Sequence, residues 1–172
     1  MSLVAEERVH VAVPRAEIWS VFGNADALRR VLPGCETLAA SAPGEFRGVL
    51  ATRLQFLTIR ADVTARIVDP QPPDRLRLEI DGRPRGLAGG FKAEIVIDLA
   101  DAGDASPGGA PGAGTAVHYT LELTTSGRLA TFGAPLIRDT FRRQVAGLIA
   151  NLEREHGRDG AGDGSGGEAG RG

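Results

Sequence analysis

Between Leu129 and Glu155 apolar residues recur at three- and four-residue steps. Leu129, Phe132, Leu136, Ile137, Phe141, Val145, Leu148, Ile149 and Leu152 form one stripe, and Arg138, Asp139, Arg142, Arg143 and Glu153 fall outside it. This is an amphipathic helix with one face to bury. Residues 36–126 alternate in strand fashion and hold no helix of comparable length, so the stripe's partner is a sheet. Pro135 lacks a backbone donor and clashes with the preceding turn, and Gly133 stands two residues before it. The pattern therefore predicts a kink there, or a regular helix beginning near Ala134.

From residue 3 to 13, Leu3, Ala5, Val9, Val11 and Val13 share one face and Glu6, Arg8 and His10 the other, with Glu7 breaking the alternation. That is a half-buried strand. Pro14 stops it and starts a short helix through Phe22, and Asn24 is placed to cap a second one ending at Leu32-Pro33-Gly34. Strands follow at 36–42, 45–54, 56–68, 74–82, 90–100 and 115–126, separated by turns at Pro43-Gly44, Pro70 to Asp74 and the glycine-rich 86–90. Residues 101–114 read as a long hairpin loop. The expected division is a ligand-binding domain over 1–156 and a disordered glycine-rich tail over 157–172.

Charge and composition narrow the function. Twenty basic against 22 acidic residues leave a net charge of -2, which gives no counterion-release drive for nucleic acid. One cysteine, Cys35, excludes an internal disulfide. The first residues lack a signal-peptide pattern, which points to the cytoplasm. No apolar run is long enough to span a bilayer.

Strand parity then sorts the chemistry. Val117, Tyr119, Leu121 and Leu123 face one way and His118 the other; His10 opposes Val9 and Val11, and His156 falls at the end of the last helix. The concave side is thus expected to hold no histidine, and Asp62, Asp81 and Glu94 also sit on polar faces. No metal-ligand spacing, phosphate loop or nucleophile elbow is present. Residues 86–90 precede a strand, as a turn where backbones pass closely would. Cys35 reads as a structural thiol in a tight turn. Trp19 and Phe22 lie one helical step apart, for core packing or for a pocket mouth. Tyr119 is the one inward polar tip, free to bond a ligand carbonyl or a backbone group.

The segment Pro14 to Trp19 resembles the proline-x-x-x-x-tryptophan helix start of the START and birch-pollen-allergen superfamily. Leu32-Pro33-Gly34-Cys35-Glu36, followed by Glu45-Phe46-Arg47-Gly48, resembles the family of the carbon monoxide dehydrogenase G subunit, as does the opening Gly127-Arg128-Leu129-Ala130-Thr131-Phe132-Gly133 of the last helix. The resemblance implies an α+β helix-grip fold: a curved antiparallel sheet of about six or seven strands wrapped around the C-terminal helix, with two short helices after the first strand. It also implies an accessory protein of a molybdenum hydroxylase such as carbon monoxide dehydrogenase, not itself an enzyme and without a cofactor of its own. Such a protein binds a quinone-like or lipid-like molecule and can sit at the inner face of the cell membrane. Members often carry a membrane-contacting C-terminal extension; residues 157–172 hold no apolar side chain larger than alanine, so membrane contact here would be transient. The alternative on the same fold is a polyketide cyclase or dehydratase.

Parity selects the expected cavity walls between sheet and helix: Leu57, Ile59, Phe91, Ile95, Tyr119, Phe132, Leu136 and Phe141, with Trp19 and the turn from Leu32 to Cys35 near one end. Leu32–Cys35 and Gly82–Gly90 are the loops expected to move.

Overall fold

The computed structural model describes residues 2–102 and 114–161, the last three by backbone alone. Alternation becomes strands β1 (Ser2–Val11), β2 (Cys35–Ala42), β3 (Glu45–Leu54), β4 (Leu57–Gln71), β5 (Arg75–Pro84), β6 (Phe91–Asp101) and β7 (Thr115–Thr125). They form one antiparallel sheet in the order β1-β7-β6-β5-β4-β3-β2. The first strand stops at Val11, yet Val13 is 1% exposed and its carbonyl accepts from Thr115 Oγ1 at 2.6 Å. The expected turn at Pro70 is shorter than predicted. β4 runs on through Pro70 past an irregularity between Val68 and Gln71, because Asp69 adopts φ 47° and absorbs the change of direction.

Two short helices bridge the sheet edges. In α1 (Arg15–Phe22) the Pro14 carbonyl accepts from Glu17 and Ile18 N–H, both at 3.1 Å. In α2 (Ala25–Val31) Asn24 Oδ1 accepts from Ala27 N–H at 3.1 Å, the expected cap. After β7 comes a 3-10 segment, Gly127–Phe132, and then the long helix α3, Ala134–Ala161. Of the two outcomes allowed at Pro135, the later start is the one formed. Gly133 takes φ 85°, and Pro135 falls in the first turn, where a missing N–H costs nothing. The helix passes the expected boundary at 156; the rest of the expected tail, 162–172, and most of the 101–114 loop lie outside the described residues.

The convex face carries cross-strand ion pairs, among them Arg66 with Glu79 at 2.6 Å and Arg85 with Asp62 at 2.8 Å. Such exposed pairs contribute little stability. The concave face is apolar and closes over α3, which is tied down on three sides. Arg142 Nε donates to Glu7 at 2.6 Å, Gln144 Nε2 to Thr52 at 3.2 Å, and Asn151 Nδ2 to the Val31 carbonyl at 2.8 Å.

Candidate functional site

Between the concave sheet and α3 lies a cavity of about 210 Å³. Its walls come from Val9 and Val11 of β1, Ile18 and Phe22 of α1, Leu32, the central strands, and α3 residues from Phe141 to Leu152. Every lining side chain except Tyr119 and Gln144 is apolar. Helix α3 packs on its surroundings through Ile137 in one buried cluster and Leu152 in another. Half-buried Val145 and Leu148 bridge the middle.

The structure divides the expected wall residues. Leu32, Ile95, Tyr119 and Phe141 line the cavity. Ile59, Phe91, Phe132 and Leu136 instead meet in a cluster around Leu54 and Leu129, toward the start of α3, and Phe91 and Phe132 also pack against the cluster of Ile95 and Tyr119. Phe91 is drawn there because Gly82 stands directly opposite it on β5; its ring covers the bare backbone, where any Cβ would collide with it. Trp19 packs against the cluster of Val13, Ile18 and Leu28 behind the wall without lining it. Leu57 has inward parity but is 46% exposed, because the β3–β4 hairpin carries it beyond the reach of the helix.

One inward polar group was missed. Glu7, which breaks the alternation of β1, shares inward parity with Val9 and Val11, and the structure places it at the margin of the concave face. Its Oε2 accepts from Tyr119 O–H at 2.9 Å and its Oε1 from Arg142 Nε at 2.6 Å. The margin of the concave face therefore holds one carboxylate that the parity of Asp62, Asp81 and Glu94 gave no sign of. The signal was present in the odd numbering of Glu7; its partners, on β7 and α3, were not visible. Burial raises the Tyr119 phenol pKa above its ordinary value, and the bond to Glu7 raises it further. With its proton committed to Glu7, Tyr119 has none left to offer a ligand carbonyl.

All three histidines stay out of the cavity. His118 bonds Glu6 at 2.6 Å on the outer face, and His10 is exposed. His156 is not at a frayed end: it lies within α3, with Nδ1 in close contact with Glu17 Oε2. Cys35 is half-buried, its Sγ donates to the Thr37 carbonyl at 3.4 Å, and burial pushes its thiol pKa up while Arg29 pulls it partly back. That is an inert thiol. The loop at 86–90 is a backbone crossing, as its glycines suggested. Arg128 N–H donates to the Ala88 carbonyl at 2.8 Å, and a Cβ on Gly127 would sit 2.5 Å from that oxygen. The turn Leu32–Cys35 is pinned: Pro33 Cγ would be 2.7 Å from a Cβ on Gly147 of α3, and Ala51 N–H donates to the Gly34 carbonyl at 2.8 Å.

Among the described residues no group of three or more His, Cys, Asp or Glu could hold a metal ion. No helix among them is long and apolar enough to cross a membrane.

A family model for the carbon monoxide dehydrogenase G subunit (CoxG) matches residues 8–157. No curated protein matches the chain in sequence. Among solved structures, a conserved protein from Geobacillus kaustophilus superposes with a TM-score of 0.76 at 19% identity, over 91% of this chain and 96% of that one. A START superfamily protein from Mycobacterium smegmatis gives 0.61 at 14% identity over 88% and 95% of the two chains. The Zhui aromatase/cyclase from a Streptomyces species gives 0.61 at 13% identity over 98% and 100%. At these identities the likeness carries the fold and nothing finer.

Proposed function

The chain belongs to the carbon monoxide dehydrogenase G-subunit (CoxG) family, and on that premise we propose that it is an accessory protein of a molybdenum hydroxylase such as carbon monoxide dehydrogenase. In this reading it holds the apolar part of a quinone-like or lipid-like molecule under α3 and couples the enzyme to the membrane pool of that molecule. It works at the inner face of the cell membrane as a peripheral protein. The observation that supports the reading is the apolar cavity. At about 210 Å³ it exceeds the roughly 150 Å³ void that takes a benzene ring and falls short of the roughly 300 Å³ where sites for whole drug-sized ligands begin. It suits one ring or a stretch of chain, not a complete long-tailed molecule. A sphere of the cavity's volume presents about 330 Å² of accessible surface, and at about 25 cal/mol per Å² its burial is worth about 8 kcal/mol, the micromolar range before ordering costs.

A second reading, a cyclase-like enzyme, draws on the Glu7–Tyr119–Arg142 group beside the cavity. Its weakness is proton supply: the phenol's hydrogen is already held by a carboxylate, and its raised pKa makes it a poor acid. Titrating the protein with a menaquinone while following Trp19, the single tryptophan, separates the two. Trp19 packs behind the cavity wall, so saturable quenching at about ten micromolar is expected. Absence of quenching, together with turnover of a small carbonyl substrate, overturns the accessory reading.

A further inference from the structure

The end of the molecule where β3 turns into β4 has an unusual makeup. The turn Gln55-Phe56 contains no glycine, and Gln55 takes φ 56°, a left-handed conformation that non-glycine residues adopt reluctantly. The strained turn carries Phe56 out to 80% exposure, with Leu57 at 46% beside it. These are two of the three large apolar side chains identified as exposed among the described residues, and they are adjacent. The hairpin holds them beyond the reach of α3, so within the chain they stay in water, and a partner is what would cover them.

The charge at this end identifies the partner's chemistry. Three segments meet there: 52–60 around the hairpin, 83–90 between β5 and β6, and 125–138 leading into α3. They are joined by Arg85 N–H to the Arg60 carbonyl at 2.7 Å and Arg128 N–H to the Ala88 carbonyl at 2.8 Å. Together they contain six arginines and no aspartate or glutamate, although the whole chain has a net charge of -2. Arg60 and Arg85 are neutralised from outside, by Glu36 and Asp62, and Arg83 faces the convex groove beside Asp62 and Asp81. Arg53, Arg128 and the half-buried Arg138 have no ion-pair partner among the described residues, and of these Arg53 and Arg128 are exposed. Arg53 stands three residues before Phe56, and Arg128 precedes Leu129, which shares a buried cluster with Leu54 at the base of the hairpin.

We infer that this tip docks on a bilayer rich in anionic lipid, with Phe56 and Leu57 entering the headgroup boundary and Arg53 and Arg128 meeting phosphates. A projecting aromatic with exposed, unpaired guanidinium groups on the same joined segments suits a surface that is apolar below and negative above. The route needs neither a C-terminal anchor nor a spanning helix. The docking deepens the proposed function and rests on it for its purpose, while its geometry stands on the tip alone.

Co-sedimentation of the full chain with phosphatidylcholine vesicles, with and without phosphatidylglycerol, tests it. Wild-type protein is expected to bind only the anionic vesicles and to be released by high salt. Phe56→Ala should weaken binding roughly tenfold, and Arg53→Ala with Arg128→Ala about twenty-five-fold, taking about fivefold per arginine near the surface. These side chains are exposed, so unchanged thermal unfolding and unchanged menaquinone quenching of Trp19 show that each variant is folded and its cavity intact. Equal binding to neutral vesicles, or anionic binding that the substitutions leave untouched, overturns the docking surface. So does loss of binding to an acidic protein partner with no vesicle binding at all. Quenching without vesicle binding refutes the tip alone, and vesicle binding without quenching refutes the cavity reading alone.

Discussion

Val145→Phe tests whether the space under α3 is a true void. Val145 is half-buried, lines the cavity and packs against the cluster of Leu3, Tyr119 and Leu121. At about 24 cal/mol per Å³, an unfilled volume of 210 Å³ costs the fold up to about 5 kcal/mol. The substitution adds roughly 50 Å³ of side chain and should recover about 1 kcal/mol, with no penalty in helix propensity. For a chain of this size that raises the melting temperature by about 2–4 °C. In a filled core the same change forces atoms together and costs about 1–3 kcal/mol, so the sign decides. Thermal unfolding followed by circular dichroism gives the answer, and menaquinone quenching of Trp19 should weaken in the same variant because the added ring takes the ligand's place. Leu121→Ala calibrates the scale: Leu121 is 0% exposed and lies outside the lining, so a loss of about 2–5 kcal/mol is expected. A Val145→Phe protein that melts lower than wild type refutes the cavity.

Two other measurements bear on the margin of the site and on its frame. Tyr119 is the only tyrosine, so its phenolate absorbance can be followed without interference. Its folded pKa is raised, by burial and then by Glu7, so its contribution to stability is whole below the ordinary phenol value of about 10 and fades as pH climbs past it. Ionisation is expected only above that value and together with loss of the near-ultraviolet dichroism; titration at the ordinary value with the fold intact would contradict the Glu7 bond. Gly89→Ala places a side chain at φ 105° and inside contact distance of the Ser126 carbonyl, so a loss of more than about 2 kcal/mol in chemical unfolding is expected. A neutral result would mean that the crossing of the 86–90 loop and the 3-10 segment is loose.

What the chain itself determined is everything that depends on local period. The strands followed from alternation, the Asn24 cap from its side chain, and the start of α3 near Ala134 from Gly133 and Pro135. Parity placed Tyr119 inward and His118 outward, as the structure has them. What tertiary structure decided is which inward residues share a space. Phe91 has the right parity but turns to cover Gly82, a choice made by the absence of a Cβ on a neighbouring strand. Leu57 has the right parity but lies past the edge that α3 can cover. Glu7 looked like an interruption of an apolar face until β7 and α3 supplied Tyr119 and Arg142, 112 and 135 residues away. The reason is physical: a side chain's face is set by the backbone torsions of its own strand. A void, or the pairing of an inward carboxylate, depends instead on the shapes of elements that meet only when the chain has folded.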